Sequence, residues 1–168
     1  MTTQTIVLVP HDPQWLDAFE MERDAILGAC GGRVKAVHHI GSTAIPGIAA
    51  KPIIDMMPVL ARYEDGPACI EPMNGLGYAY RGDGGIEGRY YFTKGSPRTH
   101  HVHIFAADNP EIDRHLRFRD YLRAHPDEAH RYEALKRQLA VSFAVNGEAY
   151  TEAKGEFCAR IDRLALGA

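Results

Sequence analysis

Two histidine clusters and one isolated carboxylate are the side chains in this sequence best suited to do chemistry. His38-His39 and His100-His101-Val102-His103 hold five of the nine histidines. Both runs read as strands, and side chains alternate along a strand, so His101 and His103 share one face. A His-x-His pair on one face is a usable clamp for a transition metal, because imidazole suits zinc and iron. The competing reading is a polar sheet surface or a set of hydrogen-bonded core histidines. Asp55 is sharper: it sits inside Pro52-Ile-Ile-Asp-Met-Met-Pro58, where its neighbours are apolar. Burying a carboxylate there is costly unless it is paired, hydrogen-bonded or metal-bound.

A phosphate site is suggested separately. Gly41-Ser42-Thr43 directly follows a strand candidate. Glycine lets a ligand approach the backbone, and hydroxyls with successive amides can cradle phosphate oxygens. Such a tripeptide also makes ordinary turns; its position just ahead of the Asp55 run gives it weight. Helical spacing near the C-terminus then places Ile112, Leu116, Arg119 and Arg123 on one stripe. Tyr132, Leu135, Lys136, Leu139 and Phe143 form a second stripe, and Tyr150, Lys154, Phe157, Ile161 and Leu164 a third. One cation on an apolar face is explained by snorkelling. Three in successive helices predict an anion pocket between helices and sheet, with Glu22 as an alternative partner. The remaining arginines of this region alternate with acids and read as solvated surface.

The elements that must position these groups follow from periodicity and punctuation. Ile6–Val9 reads as a short strand, and Asp12-Pro13 as the N-cap and first position of a helix ending at Gly31-Gly32. Val34–Ile40 and Pro52–Leu60 read as strands, with a helix near residues 63–75. Tyr78–Tyr80, Arg89–Thr93 and Thr99–Phe105 form a β-rich block with glycine-rich turns. Asn109-Pro110 opens a helical third divided into three helices at His125-Pro126 and Asn146-Gly147. The order predicts one α+β domain over residues 1–168: a mixed β-sheet flanked by helices, with a helical C-terminal third.

Composition narrows the functions. The chain has 168 residues, 45% hydrophobic and 24% charged, long enough to bury a core without staples. Its 19 basic and 22 acidic residues give a net charge of −3, which argues against broad nucleic-acid binding. Three scattered cysteines make no disulfide framework, and no apolar stretch is long enough to span a bilayer. A cytoplasmic protein is expected, with no membrane partner and no indication of oligomeric state. Walker A loops, dinucleotide fingerprints and Gly-x-Ser-x-Gly elbows are absent from the sequence.

His39-Ile-Gly-Ser-Thr-Ala-Ile-Pro-Gly-Ile-Ala-Ala-Lys-Pro-Ile-Ile-Asp55 resembles the signature of the GrpB family. His11-Asp-Pro-Gln-Trp15, Arg98-Thr-His-His-Val-His103, Phe118-Arg-Asp-Tyr-Leu-Arg123, Leu135-Lys136 and Tyr150 with Lys154 extend the resemblance nearly end to end. It implies a nucleotidyltransferase-like fold. In that superfamily a Gly-Ser turn precedes a strand bearing two carboxylates, a later strand carries a third, and together they hold two Mg²⁺ ions for attack on an α-phosphate. Gly41-Ser42 and Asp55 match that pattern. Met57 stands at the second acidic position, and His101 or His103 where the later carboxylate would be, a donor set softer than Mg²⁺ prefers. Some actinobacterial relatives are fused to a dephospho-coenzyme A kinase domain, which points toward nucleotide or cofactor metabolism.

The expected function is therefore transfer of a nucleotidyl group to a small acceptor. Asp55, His101 and His103 are the expected catalytic and metal-binding residues, with Mg²⁺ or a transition metal as the divalent cation. Gly41, Ser42, Thr43, Lys51, Arg119, Lys136 and Lys154 are expected on the phosphate, with His39 and Arg98 in support. Two rivals remain at this level: an inactive nucleotide- or phosphate-binding module, favoured by Met57, and a His/Asp transition-metal hydrolase.

Overall fold

A computed structural model of the chain describes residues 5–167; the first four residues of the N-terminal segment read above lie outside them. Five strands form one mixed sheet: β1 (Val34–Ile40), β2 (Ile54–Leu60), β3 (Ala79–Tyr80), β4 (Tyr90–Lys94) and β5 (His100–Ala106). Their order is β1-β2-β5-β4-β3, with only the central β2–β5 pair parallel. Two strands from distant parts of the sequence thus lie side by side, and Asp55 is registered directly against His101.

The period-2 alternation sorts the core. Ile54, Met56 and Leu60 of β2 and Val102 and Ile104 of β5 pack against α1 (Gln14–Cys30) and α2 (Pro67–Gly75), through Trp15, Phe19, Ile26 and Met73. On the other face Met57, Val59 and Phe105 pack against Ile112 and Leu116 of α3 (Pro110–Ala124). Asp55, His101 and His103 belong to this second face by alternation. The remaining helices are α4 (Pro126–Ser142), α5 (Gly147–Ala153) and α6 (Gly155–Ala165). Ile45 and Ile48, from the loop between β1 and β2, pack with Leu122 of α3, Tyr132 of α4 and Ile161 of α6. The loop carrying the Gly-Ser-Thr turn is thereby gripped by the C-terminal third. No helix among the described residues is long and apolar enough to cross a membrane.

Three expectations about elements need correction. Ile6–Val9 is not a strand; only Val9 bridges, to Ala50. The first helix begins at Gln14, because Asp12 Oδ1 accepts the Gln14 amide at 2.9 Å and leaves Pro13 just outside. The C-terminal third contains four helices, since the chain breaks at Lys154-Gly155 between α5 and α6; glycine is a poor helix former. The Asn109 cap is as expected, its side chain accepting the Glu111 amide at 2.9 Å with Pro110 at the first helical position.

Candidate functional site

Asp55 sits at the centre of a hydrogen-bonded set on the second face of the sheet. His103 Nε2 is 3.0 Å and His101 Nδ1 3.4 Å from the same Asp55 oxygen. Burial by itself would raise the Asp55 pKa. The hydrogen bonds and charge of the two imidazoles outweigh it and hold the carboxyl well below the ordinary carboxylate range. Arg89 Nη1 lies 3.0 Å from His103 Nδ1. A guanidinium has no lone pair to offer, so Arg89 donates there and the His103 proton on Nε2 is donated to Asp55. His101 is left differently: its Nδ1 faces Asp55, while its buried Nε2 has no partner.

The turn beside Asp55 depends on one glycine. Gly41 has φ 73° and ψ −172°, a region that side chains other than hydrogen rarely enter. A Cβ there would stand 2.8 Å from Asp55 Oδ2. Ser42–Ala44 then winds one tight helical turn. Its Thr43 hydroxyl is 2.9 Å from His39 Nε2, and the His39 ring stacks on Phe19 of α1. Burial, then the charge of Arg123, pushes the His39 pKa down to about 4. His39 is therefore a neutral brace for the turn, on the face of the sheet opposite the carboxylate.

The turn, the carboxylate and the C-terminal helices enclose a cavity of about 290 Å³. Gly41, Ser42, Thr43, Asp55 and His101 line the sheet side; Lys51, Lys136 and Lys154 bring three ammonium groups to its wall. None of the three forms an ion pair with a carboxylate among the described residues. Lys51 and Lys154 both lie over the Tyr150 ring, at 4.9 and 4.7 Å, and the Tyr150 hydroxyl is buried without a partner. Lys136, 2% exposed, donates to the Ala49 carbonyl at 2.7 Å. Burial, then the charge of Lys154, brings its pKa down to about 7. Lys51 is lowered by the same two causes and Lys154 by burial. Three crowded, desolvated cations face the single carboxylate of Asp55 across the cavity, which leaves the site with an excess of positive charge.

Most of the residues expected at the phosphate meet here, but Arg119 does not. Its guanidinium donates to the His39 carbonyl at 3.1 Å and to Asp120 at 2.8 Å, outside the cavity lining. Arg123 likewise donates to the Ala44 carbonyl at 2.8 Å. The stripe pattern placed both arginines on the inward face of α3, yet their partners are backbone carbonyls at the end of β1 and in the turn after it. Arg98 is exposed and lines an adjoining cavity. His103 lies behind Asp55 rather than on the cavity wall. Sequence reasoning missed Tyr91, Tyr132 and Tyr150 as cavity lining and Arg89 as the partner of His103. Tyr91 was within reach, because a residue paired across β4 and β5 with His103 must share its face. Arg89 carried no local signal.

A model of the family described as GrpB protein matches residues 5–163. The chain belongs to the GrpB family. The crystal structure of the conserved protein GrpB from Enterococcus faecalis superposes with a TM-score of 0.91 at 39% identity, covering 96% of this chain and 98% of that one. The UPF0157 protein YqkA of Bacillus subtilis is 43% identical over 153 residues, 90% of this chain but 45% of that protein, so the chain spans less than half of YqkA. A structure of Cid1 in complex with its short product ApU has a TM-score of 0.52 at 11% identity, covering 79% of this chain and 40% of that one. That likeness concerns the fold alone: the mixed sheet with its flanking helices is of nucleotidyltransferase-like type.

This GrpB-family chain does not supply the carboxylate set of a two-Mg²⁺ centre. Met57, at the second acidic position, is fully buried and packs with Ile40, Val59, Phe105 and Ile112. One ligand atom from each of Asp55, His101 and His103 lies within 4.8 Å of the others, so the three can hold one metal ion. One oxygen and two nitrogens suit a transition metal better than Mg²⁺. His103 would have to release its Nε2 proton to bind through that atom, which makes Asp55 and His101 the readier ligands.

Proposed function

We propose that this chain binds a nucleotide in the lysine-lined cavity and transfers its nucleotidyl group to a small acceptor. The observation that carries the reading is the convergence of Lys51, Lys136 and Lys154 with the Gly41–Thr43 turn around Asp55 and His101, without carboxylate partners for the lysines. In this reading the turn amides and hydroxyls hold phosphate oxygens, and the ammonium groups neutralise them. The acceptor oxygen attacks the α-phosphorus and a new P–O bond forms. The P–O bond to pyrophosphate breaks, and pyrophosphate leaves toward the lysines. The acceptor proton passes to His101 Nε2, whose ring Asp55 orients. A divalent ion held by Asp55 would supply further charge neutralisation at the transferring phosphate, with His101 then serving as base and not as ligand, because a neutral imidazole has a single lone pair to give.

The test is a thermal-shift panel of nucleoside triphosphates and coenzyme A precursors, each with and without Mg²⁺, Mn²⁺ or Zn²⁺, followed by product analysis for any ligand that binds. A ligand at ~100 times its dissociation constant adds roughly 2.7 kcal/mol, a visible shift. The reading expects a metal-dependent shift for at least one nucleotide, its loss in Lys154→Ala, and a nucleotidylated product. A shift that survives chelation with no product formed would make the chain a binding module. No shift with any compound would remove the nucleotide altogether.

A further inference from the structure

A second cavity, of about 490 Å³, adjoins the first and shares Lys51, Ile53 and His101 with it. These three residues form the wall that the two cavities have in common, His101 among them. Their linings differ. Tyr91, Tyr132, Tyr150 and the lysines line the first, whereas Ile6, Val7, Pro52, Ile53 and Pro97 give the second mainly aliphatic walls. Arg98 also lines the second cavity, and it makes no side-chain hydrogen bond or ion pair among the described residues. A nucleobase is held by stacking on aromatic planes, and apart from the His101 imidazole no ring lines this space. An aliphatic body with an anionic end matches it better, because the walls remove apolar surface from water while Arg98 forks onto a carboxylate or phosphate.

We infer that the second cavity is the acceptor subsite of the proposed transfer and takes a small amphipathic acid, its aliphatic part between Ile6 and Ile53 and its anionic end on Arg98. The inference rests on the transfer reading for the word acceptor; the binding chemistry stands on the cavity. A ligand seated there abuts the shared wall at His101. Its far end, which carries the acceptor hydroxyl, is then adjacent to the nucleotide cavity and its anionic end is remote from it.

The experiment titrates the full chain with hexanoate, hexyl phosphate and hexanol, following backbone amide resonances by NMR, with pyrophosphate titrated in parallel. The expected result is that both acids shift the Ile53 and Thr99 amides and hexanol binds at least tenfold more weakly. The tighter of the two acids identifies the head group. Arg98→Ala should bring the acids down to the level of hexanol while leaving pyrophosphate affinity within twofold. Lys154→Ala should do the reverse. Equal binding of hexanol and hexanoate, an unchanged affinity in Arg98→Ala, or acid-induced shifts that bypass Ile53 and Thr99 would each overturn the subsite. If the acids bind through Arg98 and pyrophosphate fails to bind, the subsite stands and the transfer reading falls.

Discussion

Asp55 is kept ionised by two imidazoles, and this sets both its stability effect and its use. Its folded-state pKa lies below the ordinary 3.8. The stabilisation is therefore complete above about pH 4 and is lost as pH falls below it. Asp55→Asn should abolish product formation, lower stability at pH 7 by about 1 to 2 kcal/mol given partial solvent access, and flatten the loss of stability between about pH 4 and pH 2; melting curves across that range check it. Lys136 has the opposite logic. Its folded pKa is about 7 against an ordinary 10.5, so the unfolded chain binds the extra proton and stability rises between pH 7 and about 10. Lys136→Met should remove that slope, melt at or above the parent at pH 6, and weaken sulfate binding at least tenfold. In the parent, sulfate affinity should fall as pH rises through 7; sulfate keeps its own charge there, so calorimetry at pH 6 and 8 on the parent and on Lys136→Met isolates the share of this lysine. Asp55 was legible because a carboxylate among apolar neighbours needs an explanation. Arg119 was misread because periodicity reports which face a side chain takes and says nothing about its partner.

At the scale of elements, the site is built by a turn whose loop α3, α4 and α6 hold in place. Gly41→Ala would force a side chain into a backbone conformation costing about 1 to 3 kcal/mol and would drive a methyl against the Asp55 carboxylate. The expected outcome is a folded protein with a lower melting temperature and greatly reduced activity. An unperturbed melting point would show that the turn relaxes freely. Arg119→Ala removes a hydrogen bond to the His39 carbonyl outside the cavity, so it should cost about 1 kcal/mol while sulfate and pyrophosphate affinities stay within twofold. A tenfold loss of anion affinity would return Arg119 to the site. The five strands of the sheet were readable to within two residues, because alternation and flanking glycines are local signals, whereas Ile6–Val9 makes only the bridge at Val9. The pairing of β2 with β5, which brings Asp55 to His101, joins residues 46 positions apart and has no local signature. The break at Lys154 escaped notice because an apolar stripe can continue in register across two short helices.

The cavity lies between two bodies of different origin: a sheet that supplies Asp55 and His101, and C-terminal helices that supply Lys136, Tyr150 and Lys154. The helices dock through Leu122, Ala129, Tyr132 and Ile161 onto the loop residues Ile45 and Ile48. Docking them also brings three ammonium groups together without carboxylate partners, so the ligand-free protein carries a repulsion that acts across this seam. Local openings should follow the seam, because partial unfolding occurs where packing is opposed. An anion in the cavity relieves the repulsion and binds only the docked form, which stabilises it by mass action. Hydrogen exchange measured with and without pyrophosphate should therefore show added protection in α4, α5 and the loop of residues 41–50. α1 and α2, packed on the opposite face of the sheet by a separate core, should change little. Equal protection across both faces would mean that the anion acts on global stability alone and that the helices are not held apart by their own charge. In Lys154→Ala the repulsion is already reduced, so exchange in α4 should slow before any ligand is added, and the further effect of pyrophosphate should shrink.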